Sequence, residues 1–424
     1  MTHHVPMSRR PASLIRDRDF LIFWSGRAVS DLGDQITLVA LPLTAIATLQ
    51  AGAAQVGILT ALEFAPSLLF SLLAGVWVDR LRRRPILIWT DLGRAVFLSW
   101  IPVAYLLGAL RIEQLYAIAF ATGMLSVLSL VAYQAYLPSL VGRDHIVEAN
   151  GRILSTQSAT QVAGPGISGI LVQILTAPLP IVLDAISFLV CAITAWLIRR
   201  PEPAPSVERR AGMMREIGEG MRALFGHPVL RALVVTASLN LAAFGAQQAV
   251  FVLFMARDLA LTPATIGFIL ATQSVGAVCG ALYAARTARA FGLGPSILAS
   301  TLLMALALAA RGLVSGIAGI DLAILMAAQL GLGFASAVWN VNGPSLRQAL
   351  TPHRLLGRVN ASYRFAAWGA TPIGALAGGF VAQAFGARTA LLTSAVWMIL
   401  PLVFIALSPL RSVRDVPASA PATA

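Results

Sequence analysis

The chain has 424 residues, 58% hydrophobic and 12% charged, where an ordinary soluble domain carries about 25% charged residues. No soluble core of this length hides so much apolar side chain from water, so soluble multidomain architectures are excluded and lipid is the solvent that fits. The formal charge of +13 comes wholly from arginine, in short clusters between apolar stretches, a pattern that argues against nucleic acid as a partner and for loops held at an anionic membrane surface.

A bilayer core about 30 Å thick takes about 20 apolar residues per helix. Segments that meet this requirement fall at 20–48, 54–78, 85–108, 113–137, 151–176 and 179–198. The Pro-, Glu- and Arg-rich stretch 199–228 reads as a hydrated cytoplasmic linker, within which Met213 to Phe225 is expected to form an amphipathic helix on the membrane surface. A second set follows at 229–255, 264–285, 292–313, 318–342, 359–385 and 387–409, and the tail 410–424 reads as disordered and cytoplasmic. The expected fold is therefore an all-α membrane protein of twelve transmembrane helices in two six-helix bundles, 1–198 and 229–409. Arginine sets the orientation: Arg111, Arg257, Arg311 and Arg388 fall in outer loops and the great majority in segments placed inside, with both termini cytoplasmic.

The halves echo each other. Leu137-Pro138-Ser139-Leu140 closes the fourth segment and Gly343-Pro344-Ser345-Leu346 the tenth; Gly169-xxx-Gln173 in the fifth returns as Gly379-xxx-Gln383 in the eleventh, at an offset of 210. Tandem six-span halves with a midplane binding site between them are the internal repeat of one large transporter architecture.

At Gly75-Val76-Trp77-Val78-Asp79-Arg80-Leu81-Arg82-Arg83-Arg84 the chain resembles the major facilitator superfamily, with Arg82 where that family's loop has its second Gly. The resemblance implies an inner-gate latch made by Gly75, Asp79, Arg80, Arg83 and Arg84, joined by Asp91 and Arg94. Gly75 would permit close helix approach, and Asp79 is placed to meet a helix N-terminus. Gly164-Pro165-Gly166-Ile167-Ser168-Gly169 resembles the packing element of the family's antiporters, with Ser168 in place of Gly. Gly164, Pro165 and Gly169 would let helices touch and bend. Ser30 to Asp34, Thr90 to Ala95, Asp184 to Phe188 and Gln348 to Arg364 are similar to the branch holding an enterobactin exporter and the macrolide-efflux proteins. An arginine that many drug:proton antiporters carry in the fourth span is absent here.

Charge inside lipid costs about 2.5–3.5 kcal/mol at a helix centre, so a carboxylate kept there needs a partner, water or a proton. At 1.5 Å per residue, Asp31 and Asp34 lie about 16–21 Å beyond Phe20, at the midplane, with Glu63 at a similar level. Asp31 offsets Arg27 at i,i+4. Asp34, helped by Glu63, is the expected proton carrier, and Asp184 near an outer end could cap, gate or bind. Asp91 and Arg94 form a local pair. Polar groups at the midplane of the second half read as neutral, with Asn240, Gln273 and Gln329 as substrate candidates and Trp339 as an interfacial anchor. All five histidines lie outside the apolar segments and no HExxH spacing exists, so neither metal nor organic cofactor is expected, the proton gradient supplying the energy. The expected protein is not an enzyme. It is a monomeric plasma-membrane exporter of a small amphipathic compound (a drug, macrolide or siderophore) by proton antiport; an importer, a lysophospholipid translocator and a non-transporting receptor are the alternatives.

Overall fold

A computed structural model describes residues 13–202, 213–314 and 318–414. The linker residues 203–212 and the tail from 415 lie outside the described residues. The helices are α1 (Arg18–Leu43), α2 (Ala53–Arg80), α3 (Arg83–Leu106), α4 (Ile112–Val141), α5 (Ile146–Leu175), α6 (Ile181–Leu197), α7 (Met213–Gly226) and α8 (Pro228–Leu253). They continue with α9 (Pro263–Phe291), α10 (Leu293–Gly312), α11 (Ala318–Leu350), α12 (Leu356–Trp368), α13 (Ala370–Phe385), α14 (Ala387–Trp397) and α15 (Ile399–Leu407).

Nine rods among the described residues are long and apolar enough to cross a bilayer: α2, α3, α4, α8, α9, α10, α11, α12–α13 and α14–α15. α6 is shorter, at 17 residues. α1 carries Arg27, Asp31 and Asp34, and the first half of α5 is polar, so neither is apolar by composition although both pack inside the same bundle.

Local chemistry places the boundaries. Asp17 caps α1, its Oδ1 accepting from the Asp19 and Phe20 amides at 3.1 and 3.2 Å. Thr262 caps α9 in the same way, with Pro263 at the first helical position. Two spans expected to be continuous are broken, after Trp368 and after Trp397. Pro372 and Pro401 stand four residues beyond those breaks and supply no amide to the Trp368 and Trp397 carbonyls.

The offset of 210 runs through the whole architecture. α1 and α8, α2 and α9, α3 and α10, and α5 and α12 each begin 210 residues apart. Both α1 and α8 end in a wide π-type turn, Thr44–Thr48 and Phe254–Asp258. In the first set α1 packs on α5 and α6, α3 on α4 and α6, and α2 on α4; in the second α8 packs on α13 and α14, α10 on α11 and α14, and α9 on α11.

The two sets meet along α2 with α13 and α5 with α9. These seams are tightest near the Ala53 end of α2 and the Pro263 end of α9, away from Ser13 and Arg414. A Cβ on Gly57 would stand 2.8 Å from the Gly379 Cα, and one on Gly267 would stand 3.0 Å from the Gly169 Cα. Gln383 Oε1 accepts from the Ala54 amide at 3.4 Å, and Gln173 Oε1 from the Ala264 amide at 3.3 Å. Each half thus caps a helix of the other, and the far end of the bundle is shut twice by the same contact. A Cβ on Gly169 would also meet the Pro263 carbonyl oxygen at 2.4 Å, so Gly169→Leu is expected to pry this end open. With Cys191 and Cys279 replaced by Ser, a cysteine at buried Ala177 should then react faster with maleimide in detergent; an unchanged rate counts against the seam being the closure.

α7 forms where the sequence placed an amphipathic helix. It docks on the base of α12, with Gly220 against the Arg358 carbonyl, Leu224 fully buried and Glu219 paired with Arg358.

Candidate functional site

Among the described residues, three groups of polar side chains bear on function. The first follows α1. Arg27 Nε is 2.9 Å from Asp31 Oδ1, and its guanidinium lies 5.5 Å from the Tyr133 ring centroid. One turn on, Asp34 is half-buried. Asp184 of α6 is buried against Gly33, where a Cβ would meet its Oδ1 at 2.4 Å. Thr37 donates to Asp184 Oδ2, and the Ser187 hydroxyl lies 3.1 Å from Oδ1. Among the described residues no cation lies within ion-pair distance of Asp184. Asp31, Asp34 and Asp184 therefore form one string across the α1–α6 seam. Glu63 does not join it: it is half-buried on the α2 face that meets α4, where Gly123 packs against its backbone carbonyl.

The α5 packing motif explains how the string is held. Gly164 sits on the Gln35 side chain, where a Cβ would come within 2.4 Å, and the Ser168 hydroxyl donates to the Ile36 carbonyl at 2.9 Å. On the opposite face Gly267 rests on the Pro165 carbonyl, where its Cβ would stand 2.3 Å from the oxygen. Gly164, Pro165 and Gly169 thus weld α1 of one half to α9 of the other.

The second cluster is at the base. Glu202 accepts from the Arg83 and Arg84 amides at 2.6 and 3.1 Å, capping α3, and Arg84 holds the Ala195 and Trp196 carbonyls at the end of α6. Sequence reasoning gave the role of meeting a helix N-terminus to Asp79, whose side chain lies outside the described residues, and it missed Glu202. The close approach expected at Gly75 is not made in this conformation: a Cβ there meets nothing within 4 Å. Arg80 is exposed. Asp91 and Arg94 form a buried ion pair, the guanidinium 4.0 Å from the Phe188 ring centroid and 3.3 Å from the Ser129 hydroxyl.

The third cluster is a cavity of about 550 Å³. Apart from Gln134 of α4 its walls come from α8 to α12 and from Met398 between α14 and α15, and Asn240, Gln273 and Gln329 all face it. Asp31, Asp34, Glu63 and Asp184 do not line it. Three arginines do, Arg311, Arg347 and Arg364, and they correct the expectation of a neutral second half. Arg311, expected in an outer loop, is 3% exposed; it donates to Gln247 Oε1 at 3.1 Å and to Gln329 Oε1, with its guanidinium 4.2 Å from the Phe251 centroid. Arg347 donates to Asn360 Oδ1 at 3.0 Å and lies 3.7 Å from the Tyr363 centroid. Trp339, expected at the interface, is buried in the cavity wall.

A polar cavity enclosed by apolar helices, sealed at one end by paired seams between matched halves, defines a membrane carrier of small molecules. Residues 10–422 match the major facilitator family described as a transmembrane secretion effector, and the chain belongs to that family. It is 26% identical to the "Multidrug efflux pump Tap" of Mycolicibacterium fortuitum over 87% of this chain and 90% of that protein. It is 26% identical to the "Enterobactin exporter EntS" of Escherichia coli O1:K1 / APEC over 72% of this chain and 71% of that protein. The fold is that of the "nucleoside transporter NupG (D323A mutant)", with a TM-score of 0.79, 12% identity and coverage of 92% of this chain and 99% of that one. The protein is a multi-pass plasma-membrane transporter of the efflux branch of the major facilitators.

Proposed function

We propose that the chain is a secondary active exporter that releases a small amphipathic compound from the cell in exchange for protons. In this reading α1, α5 and α6 cross the bilayer with the nine apolar rods, making twelve spans in two halves, and the arginine-rich base faces the cytoplasm. The observation that carries the reading is the second-half cavity beneath doubly closed seams at the other end: a compound would enter from the base and leave when α2–α13 and α5–α9 part. Export relatives support the direction.

Protons would pass through the first half. Asp34 and Asp184 share the α1–α6 seam, and Asp184 is held by hydroxyls alone, without an adjacent cation among the described residues. A carboxylate so placed is tolerated in lipid as a proton carrier. Asp34→Asn is expected to leave folded protein whose transport no longer responds to an imposed pH gradient. The assay is efflux from proteoliposomes with the gradient set in either direction. Gradient-stimulated efflux equal to that of the unaltered protein would remove Asp34 from the coupling path. A compound that accumulates in expressing cells more than in controls would reverse the direction proposed here.

A further inference from the structure

The cavity has an unusual electrical balance. Among the residues that line it, Arg311, Arg347 and Arg364 are cationic and no Asp or Glu is present. Arg311 has no carboxylate within ion-pair distance among the described residues; the groups on it are the amide oxygens of Gln247 and Gln329 and the Phe251 ring. Amide oxygens orient a guanidinium but leave its formal charge uncompensated. The arrangement is built rather than accidental, because Gln247 has its own amide nitrogen tied to the Leu391 carbonyl at 3.2 Å and to the Ser394 hydroxyl, which turns its oxygen toward Arg311.

The unpaired hydrogen-bonding groups have the same bias. Among the described residues that line the cavity, Arg311 Nε, Arg347 Nη1, Gln329 Nε2 and Trp339 Nε1 are buried donors without a partner, and Asn240 adds a further donor beside the one orphan acceptor of this lining, its own Oδ1. A surplus of donors around uncompensated cations is satisfied by acceptor oxygens that carry negative charge. Phe244, Phe251, Trp339 and Trp368 supply apolar walls of the same cavity.

We infer that this cavity binds an amphipathic organic anion, its acidic head on Arg311 and its apolar body between these aromatic walls. The inference rests on the reading of the cavity as the transport site and adds the charge of the substrate to it. A cationic compound would meet three arginines and no carboxylate. The anion also suits export, since an inside-negative membrane potential drives a negative charge outward. The acidic head can belong to a free organic acid or to an anionic lysolipid, which present the same chemistry to Arg311.

The test measures affinity of the full-length protein in nanodiscs for three probes of one shape: 2-naphthoate, 2-naphthylmethanol and 2-naphthylmethylammonium. Lysophosphatidylglycerol and lysophosphatidylcholine form a second pair. Charge-assisted hydrogen bonds predict that naphthoate, or the phosphatidylglycerol lysolipid over its choline counterpart, binds about tenfold or more tightly than its comparators. The first result assigns a free acid and the second a lipid head; each carries the inference. Arg311→Gln should erase the preference and Arg311→Lys retain it. Equal or tighter binding of the ammonium or alcohol, with no preference between the lysolipids, overturns the proposal; so does undiminished anion selectivity in Arg311→Gln. The comparison among probes uses the unaltered protein, so it reads even where Arg311→Gln fails to fold. Transport is scored separately: anion-selective binding without efflux of any probe from proteoliposomes sinks the exporter reading alone, and efflux of the cation without the anion sinks the charge assignment alone.

Discussion

Gly333→Val is expected to yield little folded protein. α9 and α11 cross on Gly276, Gly280 and Gly333, and a Cβ at these positions would stand 2.0, 2.3 and 1.8 Å from the carbonyl oxygens of Leu330, Phe334 and Gln273. The obstacle in each case is backbone, which cannot turn aside as a flexible side chain can. Lipid tails are as apolar as the helices, so close backbone approach supplies much of what holds two membrane helices together. Forcing the seam apart should cost at least the 1–3 kcal/mol, roughly, of an overpacked core. Gly357→Ala is the control, because a Cβ there meets nothing within 4 Å. It should be neutral or slightly stabilising, by about 0.4–1 kcal/mol. Monodisperse yield and melting temperature in detergent compare the two; a Gly333→Val protein that melts like the unaltered chain would mean the helices are not held by this contact.

The same seam bears on function. Gln273 and Gln329 lie on α9 and α11, one of them offering its carbonyl to Gly333 and both lining the cavity. Glycine at the crossing brings the backbones close enough for both amides to reach a shared space. A wider crossing would carry Gln329 away from Arg311, so a partly folded variant at Gly276 should lose substrate affinity along with stability.

How much of this was readable beforehand depends on what each signal measures. Apolar runs report the length of helix facing lipid or packed helices, so the helical order was legible, and the 210-residue echo seen at Gln173 and Gln383 extends to helix starts, π-type turns and reciprocal caps. Asn240, Gln273 and Gln329 were legible as polar residues in apolar surroundings, and all three face one cavity. Arg311 was not. It closes an apolar run, so a positive-inside count treats it as a loop residue, while its side chain turns back into the protein to reach Gln247 and Gln329. Trp339 escaped for a similar reason: an indole near a span end has the composition of an interfacial anchor, and only packing shows that it is enclosed. Glu202 capping α3 was hidden by distance along the chain, because it comes from the stretch after α6 rather than from the Asp79 loop.

Arg94→Leu and Asp91→Leu should each be more damaging than the double replacement. The pair is buried, with both side chains no more than 5% exposed, and no second carboxylate stands within ion-pair distance of Arg94 among the described residues. Removing one member leaves a desolvated charge without its partner, which costs about 3–5 kcal/mol, whereas removing both takes away two desolvation penalties with one attraction. Arg94 has other contacts that limit its loss: the Phe188 ring and the Ser129 hydroxyl remain when Asp91 is replaced. Asp91 would keep only the Cys191 thiol, a weak donor, so Arg94→Leu should be the worse single variant. A cycle of unaltered, single and double proteins, unfolded in mixed micelles, measures the coupling between them. Strict additivity would show that the two charges stabilise the α3–α6 region independently. A large favourable coupling, together with efflux retained in the double variant, would instead assign the pair to holding α3 against α6 and leave Asp34 and Asp184 as the carboxylates of the first half that move protons.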